Sequence, residues 1–290
     1  MLQPQYIVDS HIHLFDVSRA EGVPWPVAGD LIYQTYLADD VENALMPLKV
    51  NKAIAVEASA WFTDNQWLLS QVNQSDFYAG CVGNLDINRP EFSQQFEKFK
   101  NQKKYLGIRY GNLWNRNLKQ ICTQQSVLQH LKQLAQANKS LDVANPDIEL
   151  LEAVLSIKQQ LPELSIIIDH LPNIQLDDAE QLQYLNLIQQ LAQMENTYVK
   201  FSEIVQLKHA QQCFDVALYR QALDQIVECF GVSKLMFGSD YPNSEYLGPV
   251  KNIMQLVQDY CAGMSQTEVD QLFYQTAIKA YSLTIEVEAE

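Results

Sequence analysis

Positive charge is scarce in this chain. Its 290 residues carry 20 Lys and Arg against 35 Asp and Glu, a formal net charge of −15. So acidic a surface repels phosphate backbones and anionic lipid headgroups, which argues against nucleic acid and membranes as partners. Long apolar runs are missing too: nowhere do 18 apolar residues pass without a charge, so no transmembrane helix is expected. The opening "MLQPQYIVDS" has no basic region followed by an apolar core, and no secretory leader is expected. Cysteine is sparse and unpatterned. Cys81, Cys122, Cys213, Cys229 and Cys261 are odd in number, widely spread and without a CxxC, which argues against a disulfide framework or structural zinc site. Reduced thiols in a cytoplasmic protein are the expectation. With 10 Gly and 10 Pro and no linker-like stretch, residues 1–290 read as a single domain.

What is present is a repeated pattern. Eight β-branched or aromatic-rich runs occur, at 6–13, 52–59, 78–86, 105–110, 140–145, 164–170, 197–204 and 234–240. Several are continuously apolar, as suits strands of a parallel sheet buried on both faces. Between them, 39–50, 126–137, 147–161 and 178–194 space apolar residues three and four apart, as amphipathic helices do. Asp147 and Asp178 fall near helix starts, where a carboxylate favours the dipole. Eight strand–helix units in this length predict an α/β fold, a (β/α)8 TIM barrel, although periodicity alone also permits an open doubly wound sheet. Residues 21–29, "EGVPWPVAG", read as an ordered loop over the barrel mouth.

In such a barrel the active site lies at the C-terminal strand ends. Strand 1 ends with His11 and His13, strand 2 near Glu57, strand 4 with Arg109 and strand 6 with Asp169 and His170. Strand 7 carries Lys200 and Glu203, and strand 8 ends at Asp240. Residues two apart on a strand share a face, so His11 and His13 point the same way, together with Asp9. Two imidazoles on one strand suit zinc, and a strand 6 histidine with a strand 8 aspartate would complete the set: His11, His13, His170 and Asp240. Asp169, next to His170, is expected to point away from the lumen. Arg109 is a candidate for substrate binding or for a structural pair with Glu57 or Asp142. Glu57 itself reads as a supporting partner, a ligand or half of a buried ion pair. Lys200 is a candidate substrate contact, while Lys200 and Glu203, three apart, face opposite sides. Trp25, Trp61, Trp114 and Tyr241 follow strand ends and either wall the pocket or pack the core. His130 lies on a helical stretch and reads as structural. His209, in the segment after strand 7, is the less settled of the two.

The ordered motifs "VDSHIHLFD", "YAGCVGNLDI", "YLGIRY", "IIIDHLPN", "YVKFSEI" and "LMFGSDYP" resemble the amidohydrolase-related family of the amidohydrolase superfamily, over about residues 5 to 282. Within it, the sugar-lactonase and 2-pyrone-4,6-dicarboxylate lactonase branch is the nearer match. The resemblance implies a barrel that opens a lactone or related cyclic ester by water attack on a small-molecule substrate. It places His11 and His13 on the strand 1 pair, His170 on the strand 6 histidine and Asp240 on the strand 8 aspartate. It implies a divalent metal, zinc first, in some members and metal-independent hydrolysis in others. Departures concern the substrate: Tyr241 stands where relatives usually have Trp, and Glu203 where they are small. Asp64 and Asn65 stand where many carry a glutamate.

From these residues, Asp240 is expected to act as general base and His170 to stabilise the oxyanion or complete a ligand shell. Arg109, Lys200, Trp25 and Tyr241 are expected to hold the substrate. The chain's five arginines, of which Arg19, Arg109 and Arg116 could reach the mouth, favour a neutral sugar lactone slightly over a dicarboxylate. A nonoxidative decarboxylase on the same site and a non-catalytic ligand-binding barrel are the alternatives.

Overall fold

In the computed structural model, described for residues 2–144, 146–171, 178–205, 212–285 and 287, eight strands follow one another in chain order. They are β1 (Val8–His13), β2 (Lys52–Val56), β3 (Tyr78–Gly83), β4 (Tyr105–Arg109), β5 (Ser140–Val143), β6 (Ile166–Ile168), β7 (Thr197–Phe201) and β8 (Leu235–Phe237). Every neighbouring pair is parallel, as the run of strand–helix units requires. The sheet closes where residues after β8 meet β1: the Asp240 N–H donates to His11 O at 2.8 Å and the His13 N–H to Tyr241 O at 2.7 Å. The barrel is therefore a (β/α)8 barrel and not an open sheet.

The helices fall where the apolar spacing puts them: Gln125–Gln136, Ile148–Gln160 and Asp178–Gln193 among others. Asp147 caps its helix by accepting the Leu150 N–H at 2.7 Å. The segment expected as one helix over 39–50 is a helix Ala38–Leu45 followed by a 3-10 turn, because Pro47 cannot donate into an α-helical ladder.

Two packed layers hold the fold. One joins the outer strand faces to the helices, and a smaller one fills the lumen floor with Val8, Ile54, Val56, Val82, Leu106, Ile167, Tyr198 and Met236. Tyr281, at the end of the last helix, seals that floor and is buried. No helix among the described residues is long and apolar enough to cross a membrane.

Candidate active site

The closing seam builds the site. Its backbone hydrogen bonds tie Asp240 to the strand that carries His11 and His13. Only glycine fits at Gly238, since a Cβ there would lie 2.9 Å from the His11 Cβ. The register of β1 against β2 shifts between Asp9 and Ile12. Asp9 consequently does not join the imidazoles; its Oδ1 accepts the Ser239 N–H at 2.9 Å and the His11 N–H at 3.2 Å, pinning the seam.

Three site residues have left-handed backbones just past their strand ends: His170 (φ 67°), Glu203 (φ 51°) and Asp240 (φ 59°). Non-glycine residues rarely hold this conformation, and it breaks the two-residue alternation of a strand. This corrects the expectation for Asp169. Asp169 and His170 are sequence neighbours, yet both face the mouth: Asp169 Oδ1 lies 3.7 Å from His11 Nδ1, and the His170 ring centroid 4.6 Å from that of His11.

The imidazoles are individually oriented. His13 donates its Nδ1–H to Val56 O at 3.0 Å, since a carbonyl can only accept. Its Nε2 is then left with a lone pair, 3.2 Å from both His11 Nε2 and Asp240 Oδ1. Asp240 Oδ1 is also 3.5 Å from His11 Nε2. His170 Nδ1 lies 2.9 Å from Ser202 Oγ. Burial, helped by the Lys200 ammonium, holds the His11 ring well below the usual imidazole range, so His11 is neutral at physiological pH. Burial pushes Asp240 up, but the neighbouring imidazoles, His13 first, outweigh it and keep the carboxyl below its ordinary value. Glu203 neighbours both Asp240 and His170; burial, reinforced by Asp240, pushes its carboxyl up.

A layer of buried charge lies beneath. Lys200 is 0% exposed. Its Nζ is 2.9 Å from Asp142 Oδ2, 2.8 Å from Asp169 Oδ1 and 3.1 Å from His11 Nδ1. Buried and enclosed by these three groups, the ammonium presents no surface to a substrate, which corrects the expectation of a substrate contact at Lys200. Burial opposes its charge, but Asp142 and Asp169 raise its pKa. Arg109 pairs with Glu57 and not with Asp142: its Nε donates to Glu57 Oε1 at 2.8 Å and Nη2 to Glu57 O at 2.7 Å. Trp114 Nε1 reaches both Glu57 oxygens at 3.1 Å. Of the readings open for Glu57, the buried ion pair is the one found. Asp142 was not expected in the site, though a carboxylate inside the apolar run "SLDV" is the signal that marks it.

Trp25 stands edge-on to His13 with centroids 5.4 Å apart, and half-buried Tyr241 packs edge-on to Tyr36 at 5.8 Å, so the 21–29 loop does meet the mouth. Other candidates are engaged elsewhere. Arg19 pairs with Asp64 at 3.0 Å and lies near the Trp61 and Trp67 rings. Arg116 donates to Asn84 O at 2.9 Å, and Asn65 bonds Asn84 and Tyr105. His130 bonds Ile87 O at 2.9 Å, a structural role as expected. His209 lies outside the described residues.

The donor set suits a divalent cation. Four buried carboxylates in and beneath the mouth (Glu57, Asp142, Asp169 and Asp240) stand with two buried cations, Arg109 and Lys200. Asp240 Oδ1 makes no hydrogen bond among the described residues. Ligand atoms of His11, His170 and Asp240 lie within 4.8 Å of one another, with His13 Nε2 adjoining. Separations near 3.3 Å are those of atoms about 2 Å from a shared centre, and imidazole with carboxylate is a zinc-type set.

Comparison with known proteins agrees. The amidohydrolase family profile matches residues 8–283. A protein of Burkholderia multivorans named L-fucono-1,5-lactonase is 24% identical over 305 residues, covering 95% of this chain and 96% of its own length. A crystal structure of an amidohydrolase from Burkholderia multivorans with bound zinc superposes with a TM-score of 0.85 at 22% identity, over 96% of this chain and all of that one. A structure from Pseudomonas putida named as a putative 2-pyrone-4,6-dicarboxylic acid hydrolase gives 0.73 at 20% identity, over 98% and 100%.

Proposed function

We propose, from the premise that the chain belongs to the amidohydrolase family, that it opens a sugar-acid lactone by water attack, with Asp240 as general base. The observation that carries this is the ionised Asp240 carboxylate, one oxygen unpartnered, set against the imidazoles of His11, His13 and His170. Asp240 takes a proton from water as its oxygen attacks the lactone carbonyl carbon. The His11 and His170 imidazoles hold the negative charge that develops on the carbonyl oxygen, and His170 is aimed by Ser202. The ring C–O bond then breaks, and the departing alkoxide recovers the proton from Asp240. The product is an open hydroxy acid.

The same donors, His11, His170 and Asp240 with His13 adjoining, fit zinc, which when bound supplies a Lewis acid that lowers the pKa of the attacking water. Trp25 and Tyr241 form an apolar wall for the sugar face, and Arg109, braced by Glu57, is the cationic edge beside it. Excess carboxylate in the lumen disfavours a dianionic substrate, so a neutral lactone is the better fit; a relative is named for one. Five free thiols suit a cytoplasmic enzyme.

The test is a hydrolysis screen over aldono-1,5-lactones, aldono-1,4-lactones and pyrone carboxylates, with chelator and with added zinc or manganese. Hydrolysis of neutral lactones supports the reading. Inertness toward all of them, or carbon dioxide release from unsaturated acids in their place, overturns it.

A further inference from the structure

The four groups at the mouth are not equivalent, because one imidazole is addressed from below. His13 gives its Nδ1–H to a carbonyl, which leaves its Nε2 free to accept or to ligate. His11 has the opposite neighbour. Lys200 Nζ is 3.1 Å from His11 Nδ1, and an ammonium has hydrogens but no lone pair. The ring must therefore accept at Nδ1 and carry its proton on Nε2, where the nearest acceptor is His13 Nε2 at 3.2 Å. Asp169 Oδ1, which could draw the proton to Nδ1, is farther off at 3.7 Å and itself only 2.8 Å from Lys200.

Lys200 is held in this position by a chain that starts at the barrel floor. Tyr281 donates its hydroxyl to Asp142 Oδ2 at 2.5 Å, and the same oxygen accepts from Lys200 Nζ at 2.9 Å. Tyr281, Asp142, Lys200 and His11 form one continuous buried series through the lumen. Nothing in the proposed chemistry touches the lower three.

We propose that Lys200, anchored by Asp142 and Tyr281, is a positioning residue that keeps the His11 proton on Nε2, so that His11 serves as a hydrogen-bond donor and is withheld from the cation-ligand set. His11 joins a cation only when Lys200 withdraws and the proton passes to Nδ1, toward Asp169. Lys200 thereby sets how tightly this mouth holds a metal. The inference rests on the proposed metal-compatible hydrolase site, but its test uses no substrate.

Imidazole nitrogen NMR on 15N-histidine-labelled, metal-free protein reads the tautomer directly. His11 is expected as the Nε2–H form and His13 as the Nδ1–H form; an Nδ1–H form at His11 in the wild type overturns the proposal. Zinc titration by calorimetry is the second measurement. Replacing Lys200 and Asp142 together (Lys200→Met with Asp142→Asn) is expected to move His11 to Nδ1–H and tighten zinc binding roughly tenfold or more. Tyr281→Phe removes one hydroxyl, keeps the ring that fills the floor, and is expected to shift both readouts the same way by a smaller factor. Should the double variant fail to fold, Tyr281→Phe still decides: unchanged or weaker zinc binding with an unchanged His11 spectrum overturns the proposal. Failure of the lactone screen with these readouts intact would fault the substrate and leave the positioning role standing.

Discussion

The Asp240 backbone N–H donates to the His11 carbonyl at 2.8 Å, so the hydrogen bond that closes the barrel also places the proposed base beside the proposed imidazole donors. Closure and site assembly are one event. Whatever disturbs the seam disturbs the chemistry, and side-chain changes that spare the backbone seam should separate activity from stability.

Asp240→Asn is the sharpest such change. The amide keeps the size of the carboxylate and the backbone bonds of the seam, but it cannot take a proton. Lactone turnover is expected to fall by about three orders of magnitude or more. The thermal midpoint should stay near the wild-type value. Steady-state kinetics beside a melting curve checks both; turnover within tenfold of wild type would remove Asp240 from the role of base.

The Arg109–Glu57 pair is expected to matter for stability as well as for the mouth. Both residues are buried, and Arg109→Met strips Glu57 of its Nε and Nη2 donors. Leaving one partner of a buried pair uncompensated costs about 3–5 kcal/mol. Pairing Arg109→Met with Glu57→Gln should recover part of that loss. Denaturant unfolding of the two singles and the double forms a cycle, and additive effects would show that the pair is not coupled.

Asp9 gives the protein a pH signature. Burial pushes its carboxyl up to about 6, against the hydrogen bonds from Ser239 and His11. The unfolded chain titrates near the ordinary value of about 3.9. A pKa raised on folding contributes stability that is fully present below the unfolded value and is lost as pH rises through about 6. Two units correspond to about 3 kcal/mol. Between pH 4 and pH 7 the wild type should lose about that much relative to Asp9→Asn. Urea unfolding of both proteins at the two pH values reads the difference; a gap independent of pH would contradict the assignment.

The thiols provide a simple check on packing. All five cysteines are free, with Cys81, Cys122 and Cys261 buried and Cys213 and Cys229 only partly so. Burial pushes the Cys81 and Cys261 thiols up to about 12, far from the reactive thiolate. A disulfide-exchange reagent at pH 8 should therefore titrate about two thiols in the native protein and all five after unfolding. Fast reaction of more than two would place a buried cysteine wrongly.

The sequence alone determined what depends on local periodicity and on residue type. Apolar runs and helical spacing were enough for eight strand–helix units, since burial on both faces writes itself into a parallel strand. A strand-1 HxH, a histidine after β6 and an aspartate after β8 were enough to nominate the mouth, because barrel geometry brings strand ends together. Tertiary structure alone decided direction and partnership. Alternation keeps Asp169 on the lumen face with Ile167 and would send His170 outward; the left-handed backbone at His170 returns its ring to the mouth, so both neighbours face it. Lys200 and Tyr281 are 81 residues apart, and Lys200 and His11 are 189 apart, yet one hydrogen-bonded series joins them. Charge in a sequence has a sign but no address. Only the closed barrel, by excluding water from the lumen, turns Lys200 from a surface-type cation into the group that sets a histidine's proton.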